Sequence, residues 1–164
     1  MAIQQKKDVI DGLKAKFGTQ ILNVSEQFGD EIVSIAPEAL FDVAGFLYAK
    51  PYECTMLLDL TCVDYLGDKL RFEMVYHFFS MVRNHRLRVK ARLPEKSPKI
   101  QSLTPLWKNA NWLEREVYDM FGVTFDGHPY MRRLFMYEEF EGHPLRKDYP
   151  LRKRQPKIRM RKSE

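Results

Sequence analysis

Apolar residues recur at helical spacing at the start of the chain: Val9, Ile10, Leu13 and Phe17 share one side of residues 4–17, with Lys6, Lys7, Lys14 and Lys16 around them. The spacing predicts an amphipathic helix that stops at Gly18. Residues 21–24 and 32–35 are short apolar-rich runs on either side of Gly29-Asp30, and they predict two strands. Ala36-Pro37-Glu38 opens a second helix, because the fixed φ of proline suits a first helical turn. Its apolar side is Leu40, Phe41, Ala44, Leu47 and Tyr48, and Pro51 closes it. Period-two alternation then takes over in residues 58–62, 70–78 and 86–93, and the last run is basic at every second position. Such alternation sets one face of a sheet on a core and the other in water or on a partner. The order αββαβββ predicts an α+β fold: two helices packed on a largely antiparallel five-stranded sheet, followed by a helix and an extended C-terminal tail.

The pattern changes after Pro94. Ser97-Pro98 and Thr104-Pro105 punctuate a linker, and a helix begins near Asn111, which with Glu114 makes an N-terminal capping pair. Leu113, Val117, Met120 and Phe121 form the apolar stripe, and Gly122 suits the left-handed position that ends a helix. Beyond it no period is sustained. Residues 126–164 carry Tyr130, Phe135, Tyr137, Phe140 and Tyr149, together with Pro129, Pro144, Pro150 and Pro156. Proline breaks any long helix, and aromatics without a period have no core of their own to enter. This segment is expected to be poorly ordered alone and to order along a partner. The chain thus divides into an α+β domain (1–94), a linker and helix packed on that domain (95–125), and an extended basic partner-binding tail (126–164).

Composition narrows the class. The 164 residues, 45% apolar and 30% charged, suit one folded domain and not a disordered chain. The net charge of +5 is uneven: from His143 onward nine Lys and Arg face only Asp148 and Glu164, so the remainder carries −2. The protein reads as a near-neutral body with a basic tail. No run approaches the about 18 apolar residues of a membrane span, and residues 1–8 lack the apolar core of a signal peptide. The expectation is a cytoplasmic protein that meets a membrane only through a partner. Cys54 and Cys62 are too few for a disulfide framework or an iron–sulfur cluster and read as small buried hydrophobes. No G-x-G-x-x-G, Walker loop or C-x-x-C is present, so nothing points to nicotinamide, flavin, nucleotide or cluster binding on this chain.

Two features invite chemistry. His128 and His143 sit in repeated phrases, Asp126-Gly127-His128-Pro129 before Arg132-Arg133 and Glu141-Gly142-His143-Pro144 before Arg146-Lys147. A zinc site needs three or four closely spaced ligands, so Gly-containing turns with each imidazole on a backbone carbonyl fit better. Glu114, Arg115, Glu116 and Asp119 crowd one short helix. Arg115 and Asp119 are spaced to pair along its surface, and Glu116 with Asp119 would repel without a cation between them. The cluster fits acid–base machinery, a solvated face, or a docking face that meets arginines of a partner or of the Arg132-Arg133 turn. The basic tail lacks interleaved aromatics after Tyr149 and any nucleic-acid motif, so no nucleic acid is expected.

Three phrases carry a resemblance: Asn111-Trp112-Leu113-Glu114-Arg115-Glu116-Val117-Tyr118-Asp119-Met120-Phe121-Gly122-Val123, then Phe125-Asp126-Gly127-His128-Pro129 to Arg132-Arg133-Leu134, then Glu141-Gly142-His143-Pro144-Leu145-Arg146-Lys147-Asp148-Tyr149-Pro150-Leu151. In that order they resemble the C-subunit family of NADH:quinone oxidoreductase, respiratory complex I. The resemblance implies a non-catalytic subunit of the hydrophilic arm of a proton-pumping complex, peripheral on the cytoplasmic side of the bacterial inner membrane. It implies no cofactor on this chain, with FMN and iron–sulfur clusters on partner subunits, and packing against the quinone-site (D) subunit near the B and I subunits. Glu114, Arg115, Glu116, Asp119, His128, Arg132, Arg133, His143, Arg146, Lys147 and Asp148 are then interface residues, and none is catalytic or metal-binding. The alternatives are the equivalent subunit of a membrane-bound hydrogenase or formate hydrogenlyase and, in a different class, a free-standing RNA-binding module.

Overall fold

The computed structural model describes residues 2–157, with side chains from Asp8 onward. Its helices are α1 (Ala2–Phe17), α2 (Leu40–Tyr48) and α3 (Ala110–Phe121). Its strands are β1 (Ile21–Gln27), β2 (Asp30–Ile35), β3 (Met56–Asp64), β4 (Phe72–Ser80), β5 (His85–Leu93), β6 (Lys99–Gln101) and β7 (Thr124–Asp126). The α+β architecture is the expected one. β1 to β5 form one sheet in the order β1-β2-β5-β4-β3, antiparallel except where β2 runs parallel to β5. That one parallel pair arises because α2, β3 and β4 intervene between its strands, long enough to be a crossover.

Alternation decides the two faces of this sheet. Leu87, Val89, Ala91 and Leu93 of β5 stand opposite Phe78, Tyr76, Met74 and Phe72 of β4, and all eight are buried. Val9, Ile10 and Leu13 of α1, Leu40, Val43, Ala44 and Leu47 of α2, and Ala110, Val117, Met120 and Phe121 of α3 close the same core. On the other face the basic positions of β5 find carboxylates on neighbouring strands: Lys90 pairs with Glu73 at 2.8 Å and Arg88 with Asp30 at 3.6 Å. The basic stripe is therefore largely neutralised within the sheet.

The region after Pro94 departs from the sequence expectation in three ways. β6 and β7 pair in parallel across α3, with Ile100 opposite Phe125. Two three-residue strands are too short for alternation to reveal. The helix begins one residue before Asn111, and Asn109 at its N-cap makes no side-chain cap, its Nδ2 donating instead to the Leu57 carbonyl at 2.7 Å. Glu114 does not cap either; it points into the protein. Finally, residues 126–157 fold back onto α3 and the β3–β4 end of the sheet, where the expectation gave them no surface of their own chain to lie on. Tyr137, Phe140 and Tyr149 form a small aromatic cluster of their own, with ring centroids 5.7 and 6.0 Å apart. The rest of the expected tail, residues 158–164, lies outside the described residues.

Candidate functional site

The C-terminal end of α3 is where the three phrases meet. Asp119 is fully buried, and its carboxylate gathers four donors. Arg133 Nη1 donates to Oδ1 at 2.8 Å, and the consecutive N–H groups of Leu134, Phe135 and Met136 donate to Oδ2 at 3.0, 2.8 and 2.9 Å. Burial alone would raise its pKa, but these donors, led by the Met136 N–H, outweigh it and hold the carboxyl below its ordinary range. The expected surface pair between Arg115 and Asp119 does not form, because Asp119 is spent on this loop. Arg115 instead donates Nε to the Arg132 carbonyl at 3.0 Å and Nη2 to the Arg133 carbonyl at 2.9 Å. Glu116 is exposed, on the solvent side of α3.

A helix ends with carbonyls that lack intrahelical donors. Here residues 143–146 supply them. His143 Nδ1 donates to the Asp119 carbonyl at 3.0 Å, the Leu145 N–H to Met120 at 3.1 Å, and Arg146 Nε to Phe121. The Arg146 cation also sits well at the negative end of the helix dipole. Gly122 ends the helix at φ 77°, and a Cβ there would lie 2.5 Å from His143 Nε2 and 2.8 Å from Arg146 Nη2. Gly122→Ala should therefore cost about 2–3 kcal/mol, from backbone strain and displacement of the capping loop. Urea unfolding reads the cost, and limited trypsin digestion reads the loop, which should become cleavable after Arg146 and Lys147. An alanine variant with unchanged stability and unchanged protection would show that the loop does not cap the helix.

His128 behaves as the sequence reading of a Gly-containing turn anticipates. Its Nε2 donates to the Asn111 carbonyl at 3.1 Å, and its Nδ1 accepts the Tyr130 N–H at 3.0 Å. A carbonyl can only accept and an N–H only donate, so the ring is the neutral Nε2–H tautomer with no nitrogen left for a metal. Burial lowers the pKa of both His128 and His143, which favours the neutral ring. Among the described residues, no three His, Cys, Asp or Glu side chains group as a metal site would require. Cys54 and Cys62 are buried thiols that desolvation raises to about 11 and about 12, so neither is a nucleophile at neutral pH.

Two anchoring roles were not visible in the sequence, which marked Glu114 only as a capping and interface residue and Arg71 not at all. Arg71, 1% exposed, grips Asp64 through Nε and Nη2 at 2.7 and 2.8 Å. It also holds Asp148 through Nη2 and Nη1 at 2.7 and 2.9 Å, and Glu95 through Nη1 at 2.8 Å. The Lys147 N–H adds a 2.8 Å bond to Asp64 Oδ2, so the third phrase is tied to the β3–β4 hairpin. The Lys147 side chain is itself exposed. The other anchor is Glu114, fully buried, which accepts the Leu103 N–H and the Ser102 hydroxyl, each at 2.7 Å.

Desolvation pushes the Glu114 carboxyl up to about 7, against those two donors, which favour its charge. A carboxyl raised in the fold costs nothing below its unfolded pKa and destabilises progressively as pH rises from there through the folded value. Glu114→Gln keeps an acceptor for Leu103 and removes the charge. It should gain on the order of 2–3 kcal/mol relative to the wild type between pH 5 and pH 8, measured by urea unfolding at each pH. A difference between the two proteins that does not change with pH would mean that Glu114 does not titrate in this range.

Comparison with known proteins adds to this geometry. Residues 33–155 match the family model of the respiratory-chain NADH dehydrogenase 30 kDa subunit. The C subunit of NADH-quinone oxidoreductase from Roseiflexus castenholzii is 46% identical over 144 residues, covering 87% of this chain and 83% of that one. Among solved structures, a trypsin-resistant fragment of Nqo5 is 29% identical with a TM-score of 0.66, covering 79% of this chain and 99% of the fragment. A chain of the membrane-bound sulfane sulfur reductase, an archaeal respiratory membrane complex, superposes with a TM-score of 0.75, covering 90% of this chain and 86% of that one. At 20% identity that second likeness speaks to the fold alone.

Proposed function

Because the chain belongs to the family of the respiratory-chain NADH dehydrogenase 30 kDa subunit, we propose that it is a non-catalytic brace of the hydrophilic arm of a complex I. In this reading it carries no redox group, and FMN and iron–sulfur clusters belong to partner subunits. It packs against the quinone-site (D) subunit near the B and I subunits, on the cytoplasmic side of the membrane. No described helix is long and apolar enough to cross a bilayer, so attachment through partners accounts for a membrane location.

One observation carries the proposal. α3 and the loops pinned by Asp119, Arg146 and Arg71 display large apolar side chains outward: Trp112 on the helix and Tyr130, Phe135, Leu145 and Leu151 on the loops are all more than half exposed. The buried charges of the motif are spent on holding these loops, which is the division of labour of a docking surface and not of a reaction centre. Aromatic anchors on a rigid frame are the usual energetic centre of an interface.

Phe135→Ser and Leu145→Ser alter exposed side chains, so each variant should fold normally. Together they should lower the amount of assembled membrane complex and its NADH:quinone activity severalfold and in parallel. Native gels with activity staining and NADH oxidation by membranes measure the two. Normal assembly with turnover alone abolished would place these residues in the chemistry and overturn the reading.

A further inference from the structure

Beside the capping loops a surface cleft of about 340 Å³ opens between α3 and residues 131–138, lined by Arg115, Tyr118, Met131, Arg132, Arg133 and Met136. Arg133 is occupied by Asp119. Arg115 and Arg132 have no ion pair among the described residues. Arg115 lies 5.2 Å from the Trp112 ring centroid and 5.4 Å from that of Tyr130, and Arg132 lies 4.8 Å from Tyr130. The Arg132 side chain makes no hydrogen bond among the described residues, and Arg115 Nη1 keeps no partner there. Arg115 is thus fixed by two carbonyls and two aromatic faces, Arg132 rests on Tyr130, and neither cation meets a carboxylate among the described residues.

Deepening the assembly reading, on which it rests, we infer that this cleft receives a carboxylate-bearing segment of a neighbouring subunit. A carboxylate enters between Arg115 and Arg132, and an apolar side chain beside it covers Trp112 and Tyr130. Charge complementarity selects this occupant: stacked guanidinium groups present paired N–H donors that match the two oxygens of a carboxylate. Met131 and Met136 adapt to the apolar neighbour, as methionine does at binding surfaces. Glu138 also lines the cleft and repels any anion, but the repulsion acts once on a single carboxylate and repeatedly along a phosphate backbone, so a polyanion fits less well.

The test uses the whole complex. Arg132→Lys places a primary amine at the cleft, and a water-soluble carbodiimide joins an amine to a carboxylate in direct contact. Mass spectrometry of the treated complex should find position 132 joined to an Asp or Glu of another subunit, with no such product in the untreated or wild-type complex. An assembled complex in which position 132 is joined only to Glu138 or other carboxylates of its own chain, or to nothing, overturns the inference. Arg132→Glu breaks no hydrogen bond or ion pair among the described residues, so its thermal unfolding should match the wild type while its retention in the solubilised complex falls at least severalfold. Unchanged retention, or release of the wild-type subunit by nuclease, also overturns the inference. A wild-type subunit that never co-purifies with a complex would instead sink the assembly reading itself.

Discussion

Asp119→Ala should destabilise the protein by about 3–5 kcal/mol, the range expected when a buried charge loses its partner. The substitution leaves the Arg133 guanidinium without its carboxylate and three consecutive backbone N–H groups, those of residues 134–136, without an acceptor. Each buried donor left unmade costs about 1–3 kcal/mol, partly recovered as the loop opens to water. Against a typical total stability of about 5–15 kcal/mol, the loss reaches the threshold of unfolding. Urea unfolding gives the size, and hydrogen exchange gives the place: residues 131–136 should exchange much faster while β4 and β5 lose protection only through the lower global stability. Asp119→Asn keeps one acceptor and should fall between. The pH dependence has a definite sign. Since the folded pKa is held below the unfolded one, this stabilisation is present above the ordinary carboxylate range and is lost as pH falls through the folded value. A loss under about 1 kcal/mol for Asp119→Ala would show that the loop is held by other contacts.

Arg71→Met should be comparably severe, by about 3–5 kcal/mol, because it strands Asp64, whose side chain is 2% exposed. Glu95 and Asp148, 60% and 48% exposed, can turn to water and add little of the cost. What they lose is position: without Arg71 the Asp148 tether is gone, and residues 143–148 should exchange faster even though α3 is intact. Replacing Asp64 by Leu in the same chain removes the stranded charge and should recover most of the stability. The coupling energy from the double-mutant cycle measures the pair directly. Hydrogen bonds from Arg71 lower the pKa of both Asp64 and Asp148. The bridge therefore contributes fully above the unfolded carboxylate values and weakens as pH drops through the folded ones, and the Met variant should show a shallower acid limb. Equal acid sensitivity in both proteins would mean that the network does not govern acid unfolding.

What could be read from the chain alone is what depends on near neighbours. The stripe of Val9, Ile10 and Leu13, the alternation of β5, and Gly122 as a helix stop are all settled within a few residues by periodicity and by backbone φ, and each has the role its pattern announces. Alternation also exposed the basic face of β5, though not the carboxylates of neighbouring strands that neutralise it. The motif residues Asp119, His143 and Arg146 were marked as important by resemblance, yet their partners were not. Arg115 stands at the helical spacing that pairs with Asp119, and a local rule would join them. The fold instead brings Arg133 and three N–H groups to a buried Asp119, where a desolvated carboxylate gains far more from four donors than from one surface cation. Arg71 and Asp148 lie 77 positions apart, Lys147 and Asp64 lie 83 apart, and nothing local distinguishes them from other charged residues on hairpins and loops. Glu114 sits in a helix turn whose charge suggests solvent, and only the packing of α3 against β3 and the Ser102–Leu103 backbone turns it inward. Hydrophobic patterning acts through sequence-near periods and so is written in the chain. Which buried charge meets which donor is decided only when burial removes water and leaves each polar group one partner within reach.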